Sequence, residues 1–357
     1  MGIGIEESSM SQARPRASTR VRVLRPATRD AGAAAAAATS RHLGIHNRVV
    51  LARLGPVTLV NFGLLAAIGG AAAAWISLAR QEQAGMRPET YAALLFVVLP
   101  VLAVIGSRLF SLALDWRELL VSPWAAVFKP GFAFQGGLVG AAVGVVGVAA
   151  YAKLDLFMLM DTMALGFPLG HAIGRLACHT YGCCHGRPTR SRLAIRYTNP
   201  DSKAVRCSRM AGIPLHPTQL YSAAGSLALF VMLAILASGR IRAGEIAAAF
   251  LILGSSGRFF VEFIRGEPTA RLLRLTPFQW FSIGSFSSGL MLLYFAYGHP
   301  LHERFTDTAS FLASLGNTAW SIYPFLVFSV IFLSFGVHGR RVGSFSLRAS
   351  HIPRAPH

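Results

Sequence analysis

The chain has 357 residues, of which 53% are hydrophobic and only 14% charged. Average usage is about 25% charged, and the mean hydropathy of +0.50 points the same way, so an ordinary soluble protein is excluded. The net charge of +19 is concentrated in tails and one connection, with nine arginines between Arg14 and Arg53. Those arginines are interleaved with Ala, Ser and Pro without apolar periodicity. Residues 1–54 are therefore expected to form a disordered basic tail, solvated near anionic lipid headgroups. No aromatic platform or folded motif accompanies this charge, so nucleic acid is not an expected partner. No short apolar run with a small-residue cleavage site follows Met1, which argues against a secretory signal.

Beyond the tail, the apolar residues come in blocks. Residues 57–79 and 91–106 carry no charge, and 132–152 and 156–173 follow, the latter interrupted by Asp161 and His171. Blocks at 217–239, 246–257, 277–298 and 317–337 complete the series. About 20 apolar residues rising 1.5 Å each cross the ~30 Å hydrocarbon core. The expected fold class is all-α, a multi-pass transmembrane helical bundle. Seven spans lie within a membrane domain at 55–300, the one at 246–264 weakened by Arg258 and Glu262. Residues 301–357 are expected to add an extra C-terminal span and a basic tail. The polar links are short except for an Arg-rich connection at 182–216, in which "RLAIRYTNP" alternates enough for a short hairpin strand.

Ionisable groups within apolar spans carry the most information, because each costs at least ~2.5–3.5 kcal/mol at a helix centre unless it faces a cavity or partner. They are Arg108, Asp161, His171, Arg175, Arg258, Glu262 and Arg265. Arg258 and Glu262 lie four apart on one helical face and can pair, as structural glue or for chemistry. Arg108 fits an interfacial anchor equally well. Gly140, Gly144 and Gly147 have the small-residue spacing that lets membrane helices approach closely. Gln135-Gly136-Gly137 instead suits a backbone that opens to admit a ligand headgroup.

Five segments, in order, resemble the bacterial prolipoprotein diacylglyceryl transferases. They are "GSRLF" (106–110), "GFAFQGGLVG" (131–140), "GRLACHTYGCCHGRPT" (174–189), "HPTQLY" (216–221) and "RFFVEFIRGEP" (258–268), the last followed by "FQWFSI". The resemblance covers about residues 62–297. It implies an enzyme of the bacterial cytoplasmic membrane whose partners are phosphatidylglycerol and lipobox-containing prolipoproteins. Such an enzyme moves a diacylglyceryl group to the lipobox cysteine, makes a thioether and releases glycerol phosphate. Arg175 aligns with the family's signature arginine and Arg258 with its second essential arginine. Glu262 and Arg265 match positions that orient the second site, and Gly186 and Arg187 match the end of the signature. The expected substrate-binding set is Arg175, Gln135, Gly136, Gly137, Arg108, Cys178, Gly186, Arg187, Glu262, Arg265, His216 and Gln219. No cofactor and no metal are expected.

The departures are informative. The family's histidine before the paired glycines is Gln135, its asparagine after the signature arginine is Cys178, its acidic residue is Cys183, and a tyrosine is Gly254. Glutamine cannot accept a proton usefully near neutral pH. His171, one turn before Arg175, is then the expected base, with a satisfied structural histidine as the alternative. Cys178, Cys183 and Cys184, with His179 and His185 among them, are read as lining a headgroup pocket. A metal site lacks the paired knuckles of structural zinc, and a disulfide is the other alternative. A diverged, non-catalytic lipid-binding protein and a membrane metal or redox protein are the competing functions. The family begins outside the cytoplasm, whereas the Arg-rich tails and long connection favour the cytoplasm by the positive-inside rule.

Overall fold

Lipid solvates no backbone polar group, so a chain this apolar must satisfy its N–H and C=O groups within helices; the structure, a computed structural model, is mostly helical. It describes residues 47–114, 116–124, 134–239, 241–266, 272–298, 301–302, 313–317, 322–339 and 342. The expected tail up to residue 46, the basic C-terminal tail and the side chain of Gln135 lie outside the described residues. Among the described residues, three helices are long and apolar enough to cross a membrane: α1 (Asn61–Leu78), α6 (Leu156–Tyr181) and α8 (Thr218–Ala237).

Before α1, β1 (Val50–Leu54) and β2 (Val57–Val60) form an antiparallel hairpin. Residues 50–54, which the sequence places in the basic tail, instead form β1 by pairing with β2. Next come α2 (Pro88–Ala93), a π-helical turn at Leu94–Val98, α3 (Leu99–Leu114) and α4 (Trp116–Val121). α5 (Phe134–Ala152) packs along α3. After α6 and a single short helix α7 (Lys203–Arg206), α8 leads through β3 (Ile241–Arg242) to α9 (Glu245–Glu262) and α10 (Pro277–Ala296). β4 (Leu301–His302) pairs with β3, and α11 (Ile322–Gly336) ends in β5 (Val337–His338), which pairs with β2.

α6 is the central element, packed against α1, α8 and α9. Its ends are defined locally. The Asp155 carboxylate accepts from Phe157 N at 2.9 Å and Met158 N at 3.2 Å, and Gly182 closes it in the left-handed region at φ 76°. Gly166 and Gly170 stand four apart on its face. A Cβ on Gly166 would meet Ser77 Oγ at 2.6 Å, and one on Gly170 would meet Gly69 O at 2.7 Å, so α1 and α6 cross backbone to backbone.

The intramembrane carboxylate Asp161 is fully buried on α6 and reaches the start of α9. It accepts from Gly244 N at 2.8 Å and Ala247 N at 2.7 Å. Negative charge at a helix N-terminus satisfies donors that have no intrahelical partner. Asp161 therefore locks α9, which carries Arg258 and Glu262, onto α6, which carries Arg175.

The long connection folds onto this frame. Ile195 and Leu215 exchange backbone hydrogen bonds at 3.0 and 2.9 Å, an isolated bridge in place of the expected hairpin strand. Tyr197 is fully buried among Ile195, Ala204 and Leu215 and donates to His179 O at 3.0 Å. Burial pushes its phenol above the usual tyrosine range. Asn47 and Arg53 dock on the same connection, through Thr198 N (3.0 Å) and Asp201 Oδ2 (2.9 Å).

Candidate active site

The signature arginine stands on the last third of α6 with His171 one turn before it. Arg175 Nε donates to His171 Nε2 at 3.0 Å, and His171 Nδ1 lies 2.7 Å from Ser226 Oγ on α8. A guanidinium has only donors. His171 Nε2 must therefore accept, which makes the ring neutral with its proton on Nδ1, donated to Ser226. Phe167 stacks on the imidazole with centroids 5.9 Å apart and planes 14° from parallel. His171 and Arg175, expected on one helical face, are hydrogen-bonded, and the bond occupies the lone pair that the expected base needs.

Across from α6, α9 and the strand-like turn after it supply two more guanidiniums. Arg258 Nη2 lies 2.7 Å from Glu262 Oε2, and Arg265 Nη1 lies 3.8 Å from the same oxygen. Thr276 Oγ1 donates to Glu262 Oε1 at 3.3 Å. That threonine is itself fixed as the N-cap of α10 in a reciprocal capping box with Gln279. Both guanidiniums also lie over the Phe278 ring, at 4.9 and 5.5 Å from its centroid. Arg265 and Arg175 each bring positive charge to bear on Arg258. Among the described residues, the Glu262 carboxylate pairs with two of these three guanidiniums, which leaves a concentrated positive charge beside apolar helices.

The end of the signature is strapped to this cluster by backbone. Gly186 N donates to His216 O and Arg187 N to Ile264 O, both at 2.9 Å, and Gly266 N to His185 O at 3.1 Å. A Cβ on Gly186 would meet His216 Cβ at 2.5 Å and Ile264 O at 2.9 Å, so only glycine fits between the two segments. Arg187 Nε donates to Arg265 O at 3.1 Å. Gln219, 1% exposed, donates to Cys183 O at 2.7 Å, and Thr218 Oγ1 to Cys184 O at 2.6 Å. Gly186, His216 and Gln219 thus stand as supports of the signature loop, where the sequence suggested contact with substrate.

The three clustered cysteines converge, with their Sγ atoms all within 4.8 Å of one another. None of the three is in a disulfide. Arg108 sits half-buried on α3 beside the α3–α5 crossing. Gly136 and Gly137 lie in the first turn of α5. A Cβ on Gly136 would strike Gly106 O and Phe110, and one on Gly137 would sit 3.3 Å from Ala103 O. These glycines permit close helix packing, and the backbone does not open there. Sequence reasoning missed Ser226, Thr276 and Phe278. The last two belong to or precede the quoted "FQWFSI", but their partners are distant in the chain.

The sequence that builds this site is similar to known proteins. Residues 49–295 match the family model "Prolipoprotein diacylglyceryl transferase". The chain is 28% identical over 249 residues to a phosphatidylglycerol–prolipoprotein diacylglyceryl transferase 2 of Clostridium perfringens, covering 69% of this chain and 94% of the relative. It is 25% identical over 246 residues to the corresponding transferase of Clostridium tetani, covering 68% and 95%. It is 29% identical over 220 residues to that of Bacillus cytotoxicus, covering 61% and 81%. The arginine cluster on α6 and α9 and the strapped signature loop all fall within the matched residues, and the chain belongs to the prolipoprotein diacylglyceryl transferase family.

Proposed function

We propose that this chain transfers a diacylglyceryl group from phosphatidylglycerol to the lipobox cysteine thiol of a prolipoprotein, releasing glycerol phosphate. The single observation that carries the reading is the guanidinium cluster Arg175–Arg258–Arg265, oriented by His171 and Glu262. A phosphodiester lipid brings one negative charge, and a second develops on the leaving phosphate as the carbon–oxygen bond breaks. Guanidiniums preorganised in a low-dielectric site stabilise that charge without reorganisation, and their forks match phosphate geometry. Arg175 keeps its two Nη groups for this purpose while Nε is held by His171. Glu262 Oε2 gathers Arg258 and Arg265 at one point, and a bound anion would relieve the repulsion that remains between them.

In this reading the protein is a multi-pass protein of a bacterial cytoplasmic membrane. Seven spans within residues 55–300 form the transferase domain, and α11 is an additional C-terminal span outside the family match. Purified protein in phosphatidylglycerol-containing nanodiscs, given a fluorescent lipobox peptide, tests the function. A mass increase of one diacylglyceryl unit on the peptide cysteine is expected. A protein that binds the lipid but leaves the peptide unmodified would refute the transferase reading.

A further inference from the structure

The proposed reaction needs an acceptor thiolate, and among the described residues the two candidate bases beside the arginines are engaged, His171 by Arg175 and Glu262 by Arg258 and Arg265. Gln135 stands at the family's histidine position, and His171 Nε2 is engaged by Arg175. The cysteine cluster lies in the same place. Cys178 is one helical turn after Arg175, and His185, next to Cys184, accepts through its carbonyl from the N–H of Gly266, next to Arg265, at 3.1 Å.

The chain brings these thiols together by specific local means. Cys178 sits in the last turn of α6, and Gly182 reverses the chain at φ 76°. Consecutive residues ordinarily direct their side chains apart. Cys184 avoids this by adopting the left-handed region, at φ 57°, a conformation costing a non-glycine residue about 1–2 kcal/mol. The carbonyls of Cys183 and Cys184 are each fixed by a buried side chain, Gln219 and Thr218. Strain held in place by a buried hydrogen-bonded shell is the arrangement expected of a ligand set. Zinc–thiolate bonds of about 2.3 Å put sulfurs at tetrahedral corners about 3.8 Å apart, and the three Sγ atoms are already within 4.8 Å of one another. Among the described residues, no fourth His, Cys, Asp or Glu joins them at that distance. Three protein ligands with an open position is the pattern of a catalytic zinc site, whereas structural sites are closed by four.

We infer that Cys178, Cys183 and Cys184 bind one Zn²⁺ whose open position takes the acceptor thiol of the lipoprotein. This inference rests on the transferase reading for the identity of the acceptor. Binding to zinc releases the thiol proton to water, since a coordinated thiol is deprotonated outright. The zinc-bound sulfur attacks the glyceryl carbon attached to the phosphate, forming the C–S bond. The C–O bond breaks with its electron pair passing to the phosphate oxygen, and glycerol phosphate leaves as a dianion against the guanidiniums. Zinc remains Zn²⁺ and nothing is oxidised. The long-recognised spacing rules for zinc knuckles do not apply, because a catalytic site is assembled by the fold around an existing helix end.

The test uses the full chain in nanodiscs, with Zn²⁺ and Co²⁺ as probes. About one equivalent of zinc per chain is expected, absent from C178A/C183A/C184A and retained in Cys207→Ala, whose thiol is exposed and outside the cluster. The wild-type chain loaded with Co²⁺ should show thiolate-to-cobalt charge transfer and d–d bands that shift when lipobox peptide is added, a readout that needs no variant to fold. Chelation should lower the transfer rate at pH 7 by up to about thirtyfold, the thiol of pKa ~8.5 then being only a few per cent ionised. The deficit should close as the pH approaches about 9. No bound metal, or a disulfide among the three cysteines by mass spectrometry, overturns the site. A cobalt spectrum indifferent to peptide, or full transfer by metal-free protein at pH 7, overturns thiol activation while leaving the transferase reading intact. Metal bound and the spectrum shifted, with no diacylglyceryl transferred, supports the thiol site and refutes the transferase reading.

Discussion

Replacing His171 separates two roles that the sequence allowed. In the structure His171 Nε2 accepts from Arg175 Nε at 3.0 Å while Nδ1 donates to Ser226, so the ring orients the guanidinium and has no lone pair left for the acceptor thiol. Losing a hydrogen bond to a charged group costs about 1.5–3 kcal/mol net. His171→Ala should therefore slow transfer roughly 10- to 150-fold at 1.36 kcal/mol per decade. His171→Gln retains a carbonyl acceptor of similar reach and should stay within about tenfold of the native rate. Neither variant should change the shape of the pH profile. A general base behaves differently: both substitutions would cost roughly 10²–10⁴ and abolish any plateau below pH 7.5. Single-turnover transfer to a lipobox peptide between pH 6 and 9 measures this. A glutamine variant as slow as the alanine variant, with its plateau lost, would make His171 the base and sink the positioning role.

Other substitutions probe the same frame. Arg175→Lys keeps the charge but loses both the Nε bond to His171 and the fork for phosphate, so transfer should fall at least about 10²-fold while detergent-extracted yield is unchanged. Glu262→Gln removes the charge that orders Arg258 and Arg265; kcat should fall roughly tenfold or more, with KM for phosphatidylglycerol changing less, as steady-state kinetics will show. Asp161→Ala leaves Gly244 and Ala247 N–H buried and unpaired, at about 1–3 kcal/mol each. Its apparent Tm should drop by several degrees with near-normal activity in the folded fraction.

The helical frame was legible because lipid leaves the chain few alternatives: uncharged blocks near 20 residues have to be helices. Local pairs were legible too. Arg258–Glu262 and His171–Arg175 each stand four apart on a helix, and both pairs are made. Contacts between distant segments were not. Nothing in the sequence of α8 marks Ser226 as the partner of a histidine 55 residues earlier. The paired glycines after Gln135 looked like an opening for a ligand because glycine serves both purposes, and only the proximity of Gly106 and Ala103 decides for packing. Residues 50–54 looked like tail because strand pairing depends on β2 and β5, the latter nearly 280 residues away in a segment outside the family match. The convergence of the cysteines was hidden for a stereochemical reason. A C-x4-C-C spacing predicts divergent thiols unless one residue turns left-handed, and that conformation at Cys184 is imposed by the strapped loop.

Gln135 gives the last test, because it asks whether this chain lost a base or replaced one. The resemblance to the family implies a histidine before the paired glycines, and here that position is the second residue of α5. If the chain merely lost its base, Gln135→His should accelerate transfer under all conditions at neutral pH, by the roughly 10²–10⁴ that general bases contribute. If a three-thiolate zinc site has taken over deprotonation, the acceptor is already a thiolate when bound, and a new base has no proton to remove. Gln135→His should then leave the zinc-loaded enzyme unchanged within about threefold. After chelation the same substitution should matter, because the acceptor reverts to a thiol only a few per cent ionised at pH 7. Rescue is limited to the fraction that ionisation withholds, so the gain should approach but not exceed about thirtyfold, and should vanish by about pH 9. Transfer rates of native and Gln135→His protein, each with and without zinc, form a double-perturbation cycle whose coupling isolates the shared step. Additive effects of metal and histidine would mean that the two act on different steps, and would leave the cysteines without a part in making the thiolate.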